Sequence, residues 1–185
     1  AWLRGGGRSG LGPTRWHTDP VLRRSSAMVV LASVLAACSG SGDSAPEPVV
    51  ELIPDAVAAV EDFYGAPQEY FEISADLDGV GVIVAIDDAT AAEQGRYEAG
   101  GEFVPPEPVG PASGATFTAD KIVFDPDRVF DEIRAELDEP VIVDFAVQGG
   151  PDGSVIYDAT IASDSGGLLR VFVGPDGRIQ GVSAQ

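Results

Sequence analysis

The sequence predicts an α+β domain: two helices packed on an antiparallel β-sheet, with the order α-β-β-β-β occurring twice. Three observations carry this. Two segments open with a proline beside an acidic residue and then place apolar residues at helical spacing, from Pro54-Asp55 and from Asp125-Pro126-Asp127. After each of them the apolar period falls from 3.6 to 2. The alternating runs that follow are joined by short glycine-bearing turns, which is how antiparallel hairpins are connected.

The elements follow in order. Pro54-Asp55 opens a helix with Val57, Val60 and Tyr64 on one stripe, and Pro67 stops it. Proline in the first turn gives up no needed N–H, and an acidic residue suits the positive end of the helix. Phe71, Ile73, Ala75 and Leu77 then alternate with Glu72, Ser74 and Asp76, and Asp78-Gly79 turns the chain into Val80–Ile86. Residues 95–104 are expected as a third strand, the proline-rich run 105–111 as an irregular loop, and 115–124 as a fourth strand. The second helix carries Phe130, Ile133 and Leu137 and stops before Pro140. Val141, Val143, Phe145 and Val147 share one face of the next strand. Turns at Pro151-Asp152-Gly153, Ser165-Gly166-Gly167 and Pro175-Asp176-Gly177 separate the strands 155–162, 168–173 and 178–183. Pro54-Asp55 precedes Pro126-Asp127 by 72 residues, and Asp78-Gly79 precedes Asp152-Gly153 by 74, so the two modules are expected over 49–125 and 126–185.

This order of elements, closed by Leu169-Arg170-Val171-Phe172-Val173-Gly174-Pro175-Asp176-Gly177-Arg178-Ile179, resembles the tandem αβ4 modules of β-lactamase inhibitory proteins and of PepSY domains. The resemblance implies a small secreted or envelope domain that binds another protein. It carries no residue-specific motif.

A second resemblance lies near the N-terminus. Leu35-Ala36-Ala37-Cys38 follows the basic pair Arg23-Arg24 and the apolar run 27–35, and precedes the polar stretch Ser39-Gly40-Ser41-Gly42-Asp43-Ser44. The apolar run has the length of a secretory signal and is too short to span a bilayer. The pattern resembles the lipobox of bacterial lipoproteins. It implies a diacylglyceryl group on Cys38, recognition of Leu35, Ala36 and Ala37 by the signal peptidase, and cleavage before Cys38. The chain then reads as an over-extended reading frame over 1–22, with translation from near Val21, a lipoprotein signal peptide over 23–37 and a flexible tether over 38–48. Ser25-Ser26-Ala27 lacks the bulky apolar pair of twin-arginine signals, so the general secretory route is expected.

Cleavage there would remove five of the eleven basic residues, both tryptophans and the single histidine. Residues 38–185 keep six basic residues against 29 acidic ones, a formal charge of −23. Such a surface repels phosphate backbones, which excludes nucleic acid as a partner. It also repels anionic headgroups, so membrane attachment would rest on the lipid alone.

The chemistry left to this segment is narrow. Without histidine, and with its one cysteine lipidated, it can form no disulfide, no Ser-His-Asp or Cys-His centre and no zinc site with nitrogen or sulfur ligands. Lys121 is its one lysine, and a Ser–Lys pair with Ser113 or Ser163 is the remaining nucleophile arrangement to consider. Asp76-Leu77-Asp78-Gly79 has the first two acids of a calcium loop but Val80 in the third place, so it reads as a turn, and no metal or cofactor is expected. Phe63, Phe71, Phe117, Phe130, Phe145 and Phe172 fall on expected core faces. Tyr97 and Phe103, in the irregular stretch 95–111, are the candidate contacts with a partner. The expected function is that of a non-enzymatic, lipid-anchored lipoprotein on the extracytoplasmic face of the cell membrane that binds an envelope protein. A lipid or glycolipid carrier and a carboxylate-based hydrolase are the alternatives.

Overall fold

The first helix begins where its proline stands. In the computed structural model, which describes residues 46–162 and 167–184, a 3-10 turn at Val50–Leu52 runs into α1 (Ile53–Tyr64), with Pro54 in the first turn. Gly65 ends α1 at φ 73°, a left-handed conformation that glycine adopts without a Cβ clash, and its N–H reaches the Glu61 carbonyl at 2.8 Å. Cys38 and its flanks, the segments expected over 1–22 and 23–37, nearly all of the tether, and Ser163 lie outside the described residues.

After α1 come β1 (Glu69–Ala75), β2 (Gly79–Ile86), β3 (Ala91–Glu98), β4 (Phe103–Pro111) and β5 (Phe117–Thr118). Then follow α2 (Asp131–Glu136), β6 (Val141–Gly149), β7 (Val155–Ala162), β8 (Leu168–Val173) and β9 (Ile179–Ala184). The strands form one antiparallel sheet in the order β4-β3-β2-β1-β6-β7-β8-β9, with β5 added alongside β1. The expected α+β class is therefore the observed one. The two halves meet where β1 pairs with β6, Ile73 opposite Val147 and Ala75 opposite Phe145.

Three expected boundaries differ from the structure. The proline-rich run 105–111 is a strand, β4, paired to β3 from Tyr97↔Phe103 to Ala91↔Pro111. Four prolines are tolerated because β4 lies at the edge of the sheet, where an N–H facing solvent has no strand to bond. Buried Pro106 closes over Gly95, where an added Cβ would come within 3.0 Å of its ring. The expected strand 115–124 shrinks to two residues and a 3-10 turn at Ala119–Lys121, because β5 only continues the edge of β1 where β6 stops. At that crossing Gly149 has no room for a side chain, since a Cβ would stand 2.1 Å from the Ala115 carbonyl oxygen. The second helix has six residues and begins at Asp131, not at Pro126. Val129 and Phe130, consecutive and both buried, turn inward through a bend that precedes it.

One core joins both halves. Ile53, Ala56 and Val60 of α1 and Ile133 of α2 meet Ile73, Val80, Val82, Val84, Phe145, Val147 and Val171 of the sheet, none more than 1 % exposed. Burying each such aliphatic or aromatic side chain stabilises the fold by about 1.5–3 kcal/mol. Of the phenylalanines expected in the core, Phe117, Phe130 and Phe145 are buried; Phe71 and Phe172 are half-buried and Phe63 is exposed. No helix among the described residues is long and apolar enough to cross a membrane.

Candidate functional site

The core stripe of α1 recurs every three or four residues, at Ile53, Ala56 and Val60, and Tyr64 packs at its end. Phe63, seven residues on from Ala56 and so about 20° from it around the helix, lies on the margin of that stripe in the last turn of α1. It is 52 % exposed. Its ring stands edge-on to Tyr64 at 5.1 Å between centroids and to Phe103 at 6.3 Å. Phe103 in turn lies opposite Tyr97 across the β3–β4 hairpin. Both expected contact residues are thus brought together, but on paired strands and half-buried against the core, not on an irregular loop. The Tyr64 hydroxyl donates a hydrogen bond to Glu93, and burial followed by that carboxylate pushes its ionisation upward. Val104, opposite Arg96, and Val109 are also exposed on β4. Phe63 was missing from the expected contacts, because its spacing from Ala56 and Val60 places it with the core stripe.

The face of the sheet that alternates with the core carries the charge. Asp158, 3 % exposed, accepts two hydrogen bonds from Arg170, from Nε at 2.9 Å and Nη2 at 2.7 Å. Arg170 Nη2 also donates to Gln148 Oε1 at 2.6 Å, and Gln148 Nε2 donates to Glu72 Oε2 at 2.7 Å. The guanidinium lies 5.2 Å from the Phe172 ring centroid. Asp144, on the neighbouring strand, is pushed up to about 6, by burial first and then by Glu72, Asp158 and Asp76, against an opposing pull from Arg170. A second pairing joins Arg96 Nη2 to Asp76 Oδ1 at 2.7 Å and Arg96 Nε to Glu98 Oε2 at 3.2 Å. Arg96 holds Asp76 below its ordinary range. Bidentate guanidinium–carboxylate pairs are rigid and directional, so this face is built as a fixed polar lattice.

Elsewhere the arrangement is structural. Asp76 Oδ1 accepts from the backbone N–H groups of Asp78 and Gly79 at 2.8 and 3.0 Å as well as from Arg96, so the would-be calcium ligand is saturated by its own turn. No group of three or more acidic, histidine or cysteine side chains among the described residues is placed to hold a metal ion. Lys121 meets Asp120 at 3.3 Å, both exposed, and Ser113 stands exposed in the loop after β4. The Tyr70 hydroxyl is buried and has no hydrogen-bond partner among the described residues, and burial first, then the nearby charge of Glu61, pushes its ionisation up. An open cavity of about 640 Å³ lies where β7 and β9 begin and β8 ends, lined by Lys121, Val123, Ile156, Phe172, Gln180 and Gly181 among others. A smaller apolar hollow of about 290 Å³ lies between the start of α1 and residues 119–126.

No protein-family model matches this chain, and no curated protein matches it. Among solved structures, the fold is similar to that of a candidate lipoprotein from Clostridium difficile 630. The TM-score is 0.52 at 14 % sequence identity, over 76 % of this chain and 94 % of the other. At that identity the likeness is one of fold.

Proposed function

We propose that this chain is a lipid-anchored, non-enzymatic lipoprotein of the cell envelope that binds another protein through the aromatic corner of Phe63, Tyr64, Tyr97 and Phe103. The observation that carries this reading is Phe63, a large aromatic ring 52 % exposed and backed edge-on by two others. Aromatic side chains on rigid elements are the common anchors of protein interfaces, because they cover much area at little entropic cost. The layer between α1 and the sheet supports it over a carrier, since Val60, Val80 and Val84 fill that space at 0 % exposure. The lipobox pattern at Leu35-Ala36-Ala37-Cys38 and the candidate lipoprotein of similar fold support the anchor.

The test is made in the membrane of an expressing cell. A photoreactive residue in place of Phe63 is expected to cross-link to one protein of defined mass, and the same residue at exposed Val123, in the segment before α2, is not. Phe63→Ser is expected to lower co-purification of that protein at least tenfold with little change in stability, and Cys38→Ser to move the chain out of the membrane fraction. A lipid that co-purifies stoichiometrically, with no protein cross-link at position 63, would favour the carrier instead.

A further inference from the structure

The sheet ends in two edges, and they are protected very differently. β4 carries Pro105, Pro106, Pro108 and Pro111, the charge of Glu107 and two breaks in its pairing with β3. These are the devices that keep an edge strand from pairing with another chain. β9, at the opposite end, has few of them: Ile179-Gln180-Gly181-Val182-Ser183-Ala184 contains no proline and no charged residue, in a chain with 30 acidic and 11 basic side chains, and its one break in pairing lies at its start, between Ile179 and Gly181. Gln180, Val182, Ser183 and Ala184 are exposed, and β9 pairs in regular register with β8 from Leu169↔Ala184 to Phe172↔Gly181. Its outer row of backbone groups is a straight template for one more strand.

We infer that β9 is a self-association edge, which pairs antiparallel with β9 of a second copy of this chain about a two-fold axis. Two features select a second copy over an unrelated strand. A two-fold axis through Val182 sets that residue against its own copy and sets Gly181 against Ser183 of the second chain, an apolar pair flanked by small pairs. Val182 lies beside Val171, which is fully buried, and is itself 52 % exposed, so the Val182 pair extends the core row outward. Charge selects the same place. Like charges meet across any two-fold contact between strongly acidic chains, and β9 has no charge to set against itself. Its surroundings cancel as well: Arg170 is paired with Asp158, and Arg178 lies 3.3 Å from Asp176. A six-residue edge buries little area, which makes the dimer concentration-dependent.

The experiment uses the full chain carrying Cys38→Ser, so that an introduced thiol has no competitor. Val182→Cys is expected to give a covalent dimer as the main product of mild oxidation, while Val109→Cys, similarly exposed on β4, forms no covalent dimer. Sedimentation of the chain without the introduced thiol is expected to show dimer growing with concentration. Val182→Lys is expected to remove that dimer with an unchanged far-ultraviolet circular dichroism spectrum. Equal cross-linking at positions 109 and 182, no covalent dimer from Val182→Cys, or a dimer that Val182→Lys leaves intact would each overturn the inference.

Discussion

Asp144 makes this fold sensitive to pH. Burial and the neighbouring carboxylates raise it from 3.8 to about 6, so between those values the folded chain holds a proton that the unfolded chain has lost. Stability therefore falls as pH rises through that window and stays lowered above it. Asp76 works the other way: held below its ordinary value by Arg96, it contributes stability above that value, which is lost as pH falls. Asp144→Asn is expected to raise unfolding free energy by about 1–2 kcal/mol at neutral pH, discounted for partial exposure, and to change little near pH 4. Urea unfolding of both proteins at the two pH values measures this; an asparagine variant no more stable at neutral pH would contradict it.

Of the two helices, α2 buries fewer side chains. Its one fully buried side chain is Ile133, whereas α1 buries Ile53, Ala56 and Val60. Ile133→Ala is expected to cost about 2–4 kcal/mol and to loosen α2 from the sheet, read as a lower urea midpoint and faster amide exchange over 131–136. The helix starts and the hairpin turns were legible in the sequence because they are local chemistry: Pro54 in a first turn, or Asp78-Gly79 between alternating runs. The run 105–111 was not legible. Its prolines argue for a loop until it is known that β4 is an edge, and edge position is decided by distant pairings. Phe63 was not legible either, since it shares the phase of buried Ala56 and only the assembled sheet leaves the last turn of α1 exposed on that side. The charged lattice was not, because Glu72, Gln148, Asp158 and Arg170 come from four strands whose register only the assembled sheet supplies.

At the scale of the molecule, the two expected modules, 49–125 and 126–185, share one sheet and one core. Unfolding is expected as a single transition, with far-ultraviolet circular dichroism and tyrosine fluorescence coinciding across urea; two separated midpoints would show that the halves are independent. The β1–β6 pairing that joins them also has a consequence in time. β1 lies in the middle of the sheet, yet the strand that completes its second side ends at Gly149, more than 70 residues later. In a chain that emerges N-terminus first at about 5–20 residues per second, that side of β1 waits about 4–15 s for its partner. During that delay the row through Ile73 and Ala75 is open to β6 of a neighbouring chain as readily as to its own. Crowded synthesis would then yield exchanged dimers joined at the centre of the sheet.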